Sequence, residues 1–269
     1  VVERIKISST ADDAVDDDGA SPAIRASVDE APGDRQPGQG VLPPPDERQF
    51  SSIERDPIVP LEPAAECAAV FNSGMAAIST LFFTFCAPGA SFVYTTPLYG
   101  GTQHLIHQVL EPFGMRGVPV PAGDTVALEQ AIAEAENLRV VFVETPANPT
   151  LRMSDIAAAC RAACRRAGRP LVAVDNTFMG PTFQHPLALG ADLAVYSATK
   201  YLSGFSDMLG GVILARDHDL VTHLRGTRAL FGNILQPDEC WLLDGRLPTV
   251  TLRMNRQSKN AERIVAGLL

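Results

Sequence analysis

The chain has 269 residues, 46% of them hydrophobic, a formal net charge of -9 and a pI near 5.0. That length supports one large core with room for a second small domain. The acidic balance excludes a general nucleic-acid or anionic-membrane surface, for which a basic patch is needed, and leaves small-molecule chemistry as the favoured class.

Residues 1–49 carry the acidic run "DDAVDDD" and then "APGDRQPGQGVLPPPDE", with few large apolar groups. Such a stretch buries too little surface to offset its ordering entropy, so disorder is expected there. The N-terminal "VVERIKISSTADDAVDDDGA" lacks the basic-then-apolar order of a secretion signal. No run of about 18 apolar residues is present to span a bilayer. A cytoplasmic protein without membrane or nucleic-acid partners is therefore expected.

Globular composition begins near Val70. A helix is predicted over 73–86 ("SGMAAISTLFFTFC"), a strand over 91–97 and helices over 102–114 and 124–136. A strand at 140–145, a helix at 154–168 and strands at 170–177, 192–199 and 210–216 complete the pattern. Alternation of this kind predicts an α/β domain, a mostly parallel sheet flanked by helices. The five scattered cysteines suit free thiols better than a disulfide framework. Cys160 and Cys164, four apart on a predicted helix, can share a face but have no further ligand nearby. They read as packing residues, and no metal site is expected.

Parallel sheets place ligands beyond the carboxyl ends of their strands. The residues following the predicted strands are Tyr99 with Gly100 and Gly101, then Asn148, then Asp175 and Thr177, then Ser197, Thr199 and Lys200. A helix opens at Ser73-Gly74-Met75, where free N–H groups and the helix dipole favour a phosphate. Of the three lysines, only Lys200 stands beside a run that reads as buried sheet.

An amine can form a Schiff base with an aldehyde, an aromatic ring can stack on a flat heterocycle, and a carboxylate can keep a pyridine nitrogen protonated. Together these residue types describe pyridoxal 5'-phosphate. Each has a plainer reading beside it. Lys200 can snorkel from a strand end, Asp175 can form a turn, Tyr99 can be a loop aromatic, and Ser73-Gly74 can be an ordinary helix start. His104 and His107 read as surface or packing residues and Asp207 as structural.

The blocks "FNSGMAAIST", "PLYGGTQHLI", "ETPANPTLRMSDI", "VDNTFMGPTFQHPLALGADLAVYSATKYLSGFSDMLGGVI" and, more weakly, "LPTVTLRMNRQSKNAERIVAGLL" occur in that order. Over about residues 70–269 the sequence resembles the Cys/Met-metabolism enzymes of the fold-type I pyridoxal-phosphate class, which include cystathionine γ-synthase, cystathionine γ-lyase and methionine γ-lyase. The resemblance implies a PLP-binding large domain over 50–255, with 256–269 beginning a helix toward a small C-terminal domain that the chain lacks. It also implies that Lys200 carries the cofactor and moves protons, that Asp175 pairs with the pyridine nitrogen and that Tyr99 stacks on the ring. Asn148 would bond the ring's 3'-oxygen, Thr177 would support the other face, and Ser73, Gly74, Met75, Ser197 and Thr199 would hold the phosphate. Lys200 and Tyr99 are the expected catalytic residues.

Departures accompany the match. The family's Tyr-x-Arg motif, which serves a neighbouring subunit's phosphate, is represented by Ile53 and Arg55, and the span from Glu62 to Ser73 is short for the helix usual there. Phe205 stands where a histidine is usual, and no residue is assigned to the substrate's α-carboxylate. The expected function is elimination or replacement at the γ-carbon of sulfur-containing amino acids by a homo-oligomer, a dimer or tetramer. A shortened, inactive relative that keeps the pocket for binding or assembly is the alternative, and a cofactor-free scaffold is a third reading.

Overall fold

The computed structural model describes residues 58–268. The expectations for residues 1–49 and for Ile53 and Arg55 lie outside the described residues.

After a 3-10 turn at Val59–Leu61, the chain enters β1 (Cys67–Phe71) directly. Next come α1 (Gly74–Phe85), β2 (Ser91–Thr96), α2 (Gly100–Leu105), β3 (Arg116–Pro121), α3 (Thr125–Glu134) and β4 (Leu138–Glu144). The order continues with α4 (Ile156–Arg165), β5 (Leu171–Asp175), α5 (Gly180–Phe183), β6 (Leu193–Ser197) and β7 (Gly211–Ala215). Helices α6 (His218–Phe231), α7 (Pro237–Arg246) and α8 (Val250–Leu268) complete the described chain.

The strands form one sheet in the order β1-β7-β6-β5-β4-β2-β3. Pairing is parallel from β6 through to β3 and antiparallel on both sides of β7, so β7 alone runs against the rest. The carboxyl ends of β1, β2, β4, β5 and β6 thus reach one edge of the sheet. The first residue of β7, Gly211, reaches the same edge, paired with Phe71 on one side and Ser197 on the other. This is the mostly parallel, helix-flanked α/β sheet that the alternation predicts.

Both faces are buried, which is why the central strands read as near-continuous apolar runs. Phe71, Phe92, Phe142 and Val195 point to one side, against Ala77, Leu81 and Phe82 of α1 and Leu224 of α6. Phe82 anchors that layer with its ring centroid 4.7 Å from Phe92 and 5.5 Å from Phe142. On the other side Val141, Val143, Val172 and Val174 meet α3 and α4, while Tyr196, Val212 and Leu214 meet Leu243 of α7 and Met254 of α8.

Several helix starts are fixed by one side chain. Ser73, Asp124 and Asp155 accept the N–H groups of Ala76, Ala127 and Ala158 at 3.0, 2.9 and 2.9 Å, the ordinary N-cap bond. The helix expected over 102–114 is observed as α2 followed by a π-type turn at Ile106–Leu110. The last helix begins at Val250, ahead of the expected boundary at 256, because Leu247-Pro248-Thr249 forms a 3-10 turn that runs straight into it.

The short strands β1 and β3 and the helices α6 and α7 were not anticipated. β3 is an edge strand whose Pro119 and Pro121 are tolerated only because one side needs no ladder donor. Cys160 is buried against the core whereas Cys164 on the same helix is exposed. Burial pushes the Cys86 and Cys160 thiols up to about 12, so both are inert packing groups at neutral pH. Among the described residues no helix is long and apolar enough to cross a membrane, and no cluster of His, Cys, Asp or Glu is arranged to hold a metal.

Candidate active site

The selected residues meet at the carboxyl edge of the sheet through a closed circuit of contacts. At the mouth of α1, Gly74 lies against Ser197 at the end of β6, so closely that an added Cβ would sit 2.9 Å from the Ser197 Oγ and Cβ. Gly211 is tighter still, because an added Cβ would meet the Ser73 carbonyl oxygen. Only glycine allows this approach of a helix start to two strands.

The Ser197 N–H donates to the Thr177 hydroxyl at 2.8 Å, and the Thr177 N–H donates to Asp175 Oδ1 at 3.0 Å. Asp175 ends β5 directly beside Glu144 at the end of β4, the two being partners in the parallel register. Glu144 then ties two loops. Its Oε2 accepts the Tyr99 N–H and its Oε1 the Asn148 N–H, both at 2.8 Å. The Tyr99 ring lies over Gly101, where an added Cβ would be 2.6 Å from the ring and 3.1 Å from Met75 Sδ. Met75 follows Gly74 on α1, and the circuit closes.

Lys200 sits one turn beyond Ser197, its N–H donating to the Ser197 carbonyl at 3.1 Å, and its side chain is exposed. Thr199 is engaged on the β7 side, accepting the Gly210 N–H at 3.1 Å. The Ser73 hydroxyl is occupied as the α1 cap, while the N–H groups of Gly74 and Met75 belong to the first turn, which has no intrahelical acceptor. Tyr99, 46% exposed, offers its ring to the open side of the strand ends. All of the residues selected from the sequence therefore lie on this circuit or within three residues of it.

Two carboxyls dominate the electrostatics. Asp175 is buried, and desolvation raises its pKa despite the bonds from Thr177. Glu144 is pushed up to about 7, first by burial and then by the charge of Asp175, against the opposing N–H bonds of Tyr99 and Asn148. Two acids forced together in a dry place favour a cation beside them.

Glu144 was missed as a site residue, although it stands in the quoted block "ETPANP" at a strand end. A carboxylate there could have been flagged, but one of the two loops it bridges, at Tyr99, lies 45 residues earlier in the chain. Asp207, read as structural, pairs in a bidentate fashion with Arg246 at 2.6 and 2.7 Å.

The sequence pattern described as Cys/Met metabolism PLP-dependent enzyme matches residues 51–268. The chain belongs to this family. Among curated relatives it is 39% identical over 194 residues to cystathionine beta-lyase MetC of Bacillus subtilis, covering 72% of this chain and 48% of that protein. It is 41% identical over 201 residues to cystathionine gamma-synthase of Escherichia coli, covering 75% and 51%. The solved cystathionine gamma-lyase of Lactobacillus plantarum in complex with L-serine aligns with a TM-score of 0.79 at 35% identity, covering 87% of this chain and 61% of that one. The chain thus spans about half the length of the curated relatives it matches. Family membership also establishes the fold as the PLP-binding fold-type I sheet.

Proposed function

We propose that the chain binds pyridoxal phosphate at the strand-end circuit and performs elimination or replacement at the γ-carbon of a sulfur-containing amino acid. The observation that carries this reading is the pair of buried carboxyls, Asp175 and Glu144, linked through Thr177 and Ser197 to a glycine-lined helix start. The donor set fits the cofactor in charge and in shape. Asp175 suits a protonated pyridine nitrogen, which would offset the desolvation of its carboxylate. The Gly74 approach leaves the first-turn N–H groups and the Ser197 hydroxyl for a phosphate, because a Cβ would fill that space.

Tyr99 would stack on one face of the ring and Thr177 would support the other, while the Asn148 side chain would hold the ring oxygen. Thr199 and Ser73 would act chiefly by fixing the loops that present the phosphate donors, since their hydroxyls already serve Gly210 and Ala76. When bound, the cofactor supplies an electron sink for charge developing on the substrate's carbons. Lys200 supplies the amine for the cofactor's aldehyde, and its Nζ is the group that removes and returns protons.

Relatives named for γ-chemistry, the γ-synthase at 41% and an L-methionine gamma-lyase of Pseudomonas deceptionensis at 39%, support the γ-position. We also propose that the protein self-associates as a dimer or tetramer. The exposed Leu252, Ile264 and Leu268 of α8 and Trp241 of α7 support this.

The test is a spectrum of the full chain with added pyridoxal phosphate, beside Lys200→Ala, before and after borohydride reduction. A visible band lost in the variant, with cofactor fixed to the peptide containing Lys200, is expected. Identical spectra and no fixation overturn the cofactor reading. Cystathionine then decides the position of attack: 2-oxobutanoate and cysteine report the γ-carbon, pyruvate and homocysteine the β-carbon. Fixation at Lys200 without turnover of cystathionine, methionine or activated homoserines would point instead to a binding or assembly role. A light-scattering mass of one chain overturns self-association.

A further inference from the structure

We propose that Arg253, in the first turns of α8, is a positioning residue for Lys200, resting on the reading of Lys200 as the cofactor-binding amine. Lys200 opens a turn closed by the Gly204 N–H donating to the Lys200 carbonyl at 2.8 Å. The two residues directly after Lys200 present their carbonyls to one guanidinium. Arg253 Nη1 donates to the Tyr201 carbonyl at 2.6 Å and Nη2 to the Leu202 carbonyl at 2.9 Å.

The same guanidinium is braced from behind. Its Nε donates to Thr249 Oγ1 at 3.0 Å and its Nη2 also to the Arg246 carbonyl at 3.2 Å. A planar fork held on both sides fixes the planes of the peptides it contacts, as a flexible point charge cannot. Those planes begin one peptide beyond Lys200, whose own carbonyl is held by the Gly204 N–H, so the two sets of bonds together limit where its Cα–Cβ bond can point.

Further contacts grip the rest of the loop. Gly204, at φ +76°, passes so close to Arg253 that an added Cβ would overlap Nη1. Phe205 lies 4.8 Å from the Arg246 guanidinium and 5.9 Å from that of Arg253, both over its ring. Arg246 also holds Asp207.

The neighbour of Arg253 reaches the other half of the site. Met254 packs against Gly180 on the segment that follows Asp175, where an added Cβ would be 2.5 Å from Met254 Cε. Successive residues of α8 thus support the loop that begins at Lys200 and the segment downstream of Asp175. A shift of this helix would be felt by both sides of the proposed cofactor.

The test uses Arg253→Ala and Arg253→Lys in the full chain, with two readouts. The first is amide hydrogen exchange of the cofactor-free protein. Exchange over residues 200–205 is expected to rise roughly tenfold in Arg253→Ala, and less in Arg253→Lys, while the sheet peptides 140–145 and 171–175 stay protected. The second is borohydride fixation of pyridoxal phosphate at the peptide containing Lys200, expected to slow roughly tenfold in Arg253→Ala with partial recovery in Arg253→Lys. Unchanged local exchange and fixation in both variants overturn the proposal. So does a rise in exchange spread equally through the sheet, which would mark Arg253 as a general stability residue. If the wild type fixes no cofactor, the cofactor reading is what fails, and the exchange pattern still decides whether Arg253 holds the loop at Lys200.

Discussion

Glu62 and Asp175 are both buried carboxyls, 1% and 7% exposed, yet the fold treats them in opposite ways. Glu62 is enclosed by donors: the Tyr196 hydroxyl donates to it at 3.1 Å, the Leu187 N–H donates at 3.0 Å, and His185 Nδ1 stands 3.6 Å away. Tyr196 in turn accepts from Asn176 Nδ2 at 3.0 Å, so the segment around Glu62 is tied to β6 and to the end of β5. Asp175 has Thr177 as its partner among the described residues and has Glu144, another acid, beside it in the sheet. Desolvation raises the pKa of both groups. The first carboxyl is held by donors inside the chain; at the second, a cation bound beside it would stabilise its charged form. A buried acid short of donors at a strand end is therefore a stronger pointer to a ligand than burial alone.

This contrast can be broken by experiment. Asp175→Asn is expected to cut pyridoxal-phosphate-dependent turnover by about 100-fold or more, since it removes the group proposed to pair with the pyridine nitrogen. The melting temperature of the cofactor-free protein should stay level or rise, because a desolvated carboxyl is lost. Parallel falls in turnover and melting temperature would erase the distinction from Glu62.

Glu62→Ala should do the reverse. It strands the Tyr196 hydroxyl and the Leu187 N–H, at a cost of about 2–4 kcal/mol in a denaturant titration. Cofactor affinity measured under folded conditions is expected to move by less than about threefold. A large loss of affinity would make the Glu62 network part of the site.

The pH dependence sharpens the comparison within the site. Glu144 binds its proton more tightly folded, at about 7, than its ordinary value of 4.5. Its contribution to stability is thus complete below about pH 4.5 and is lost as pH rises through about 7. Across that window the cofactor-free wild type should lose stability relative to Glu144→Gln, by on the order of 1–3 kcal/mol. Parallel stability curves would show that Glu144 is not under charge stress.

The smallest expected effect is at Gly101→Ala. The added methyl pushes the Tyr99 ring aside, and a half-exposed ring can move, so stability should hold to within about 1 kcal/mol. Cofactor affinity is expected to weaken about three- to tenfold. Unchanged affinity would argue against stacking by Tyr99.

Much of the candidate site was legible in the sequence because "VDNT" and "SATK" stand at the ends of clear apolar runs and "SGM" opens a predicted helix. Glu144 was less legible, since its role depends on receiving N–H groups from two separate loops. Arg253 was less legible again: its acceptors, the Tyr201 and Leu202 carbonyls, lie about 50 residues earlier on a loop with no regular period. The edge strand β3 escaped notice because Pro119 and Pro121 break the usual strand signal.

The sequence by itself determined the alternation of strand and helix, the helix start at Ser73 and the residue types from which the site is made. These are local properties, set by side-chain period and by backbone groups a few residues away. The tertiary structure decided that β7 runs against its neighbours, that Glu144 lies beside Asp175, and that α8 supports the turn at Lys200. Those arrangements depend on which distant surfaces bury one another, and no local pattern encodes that.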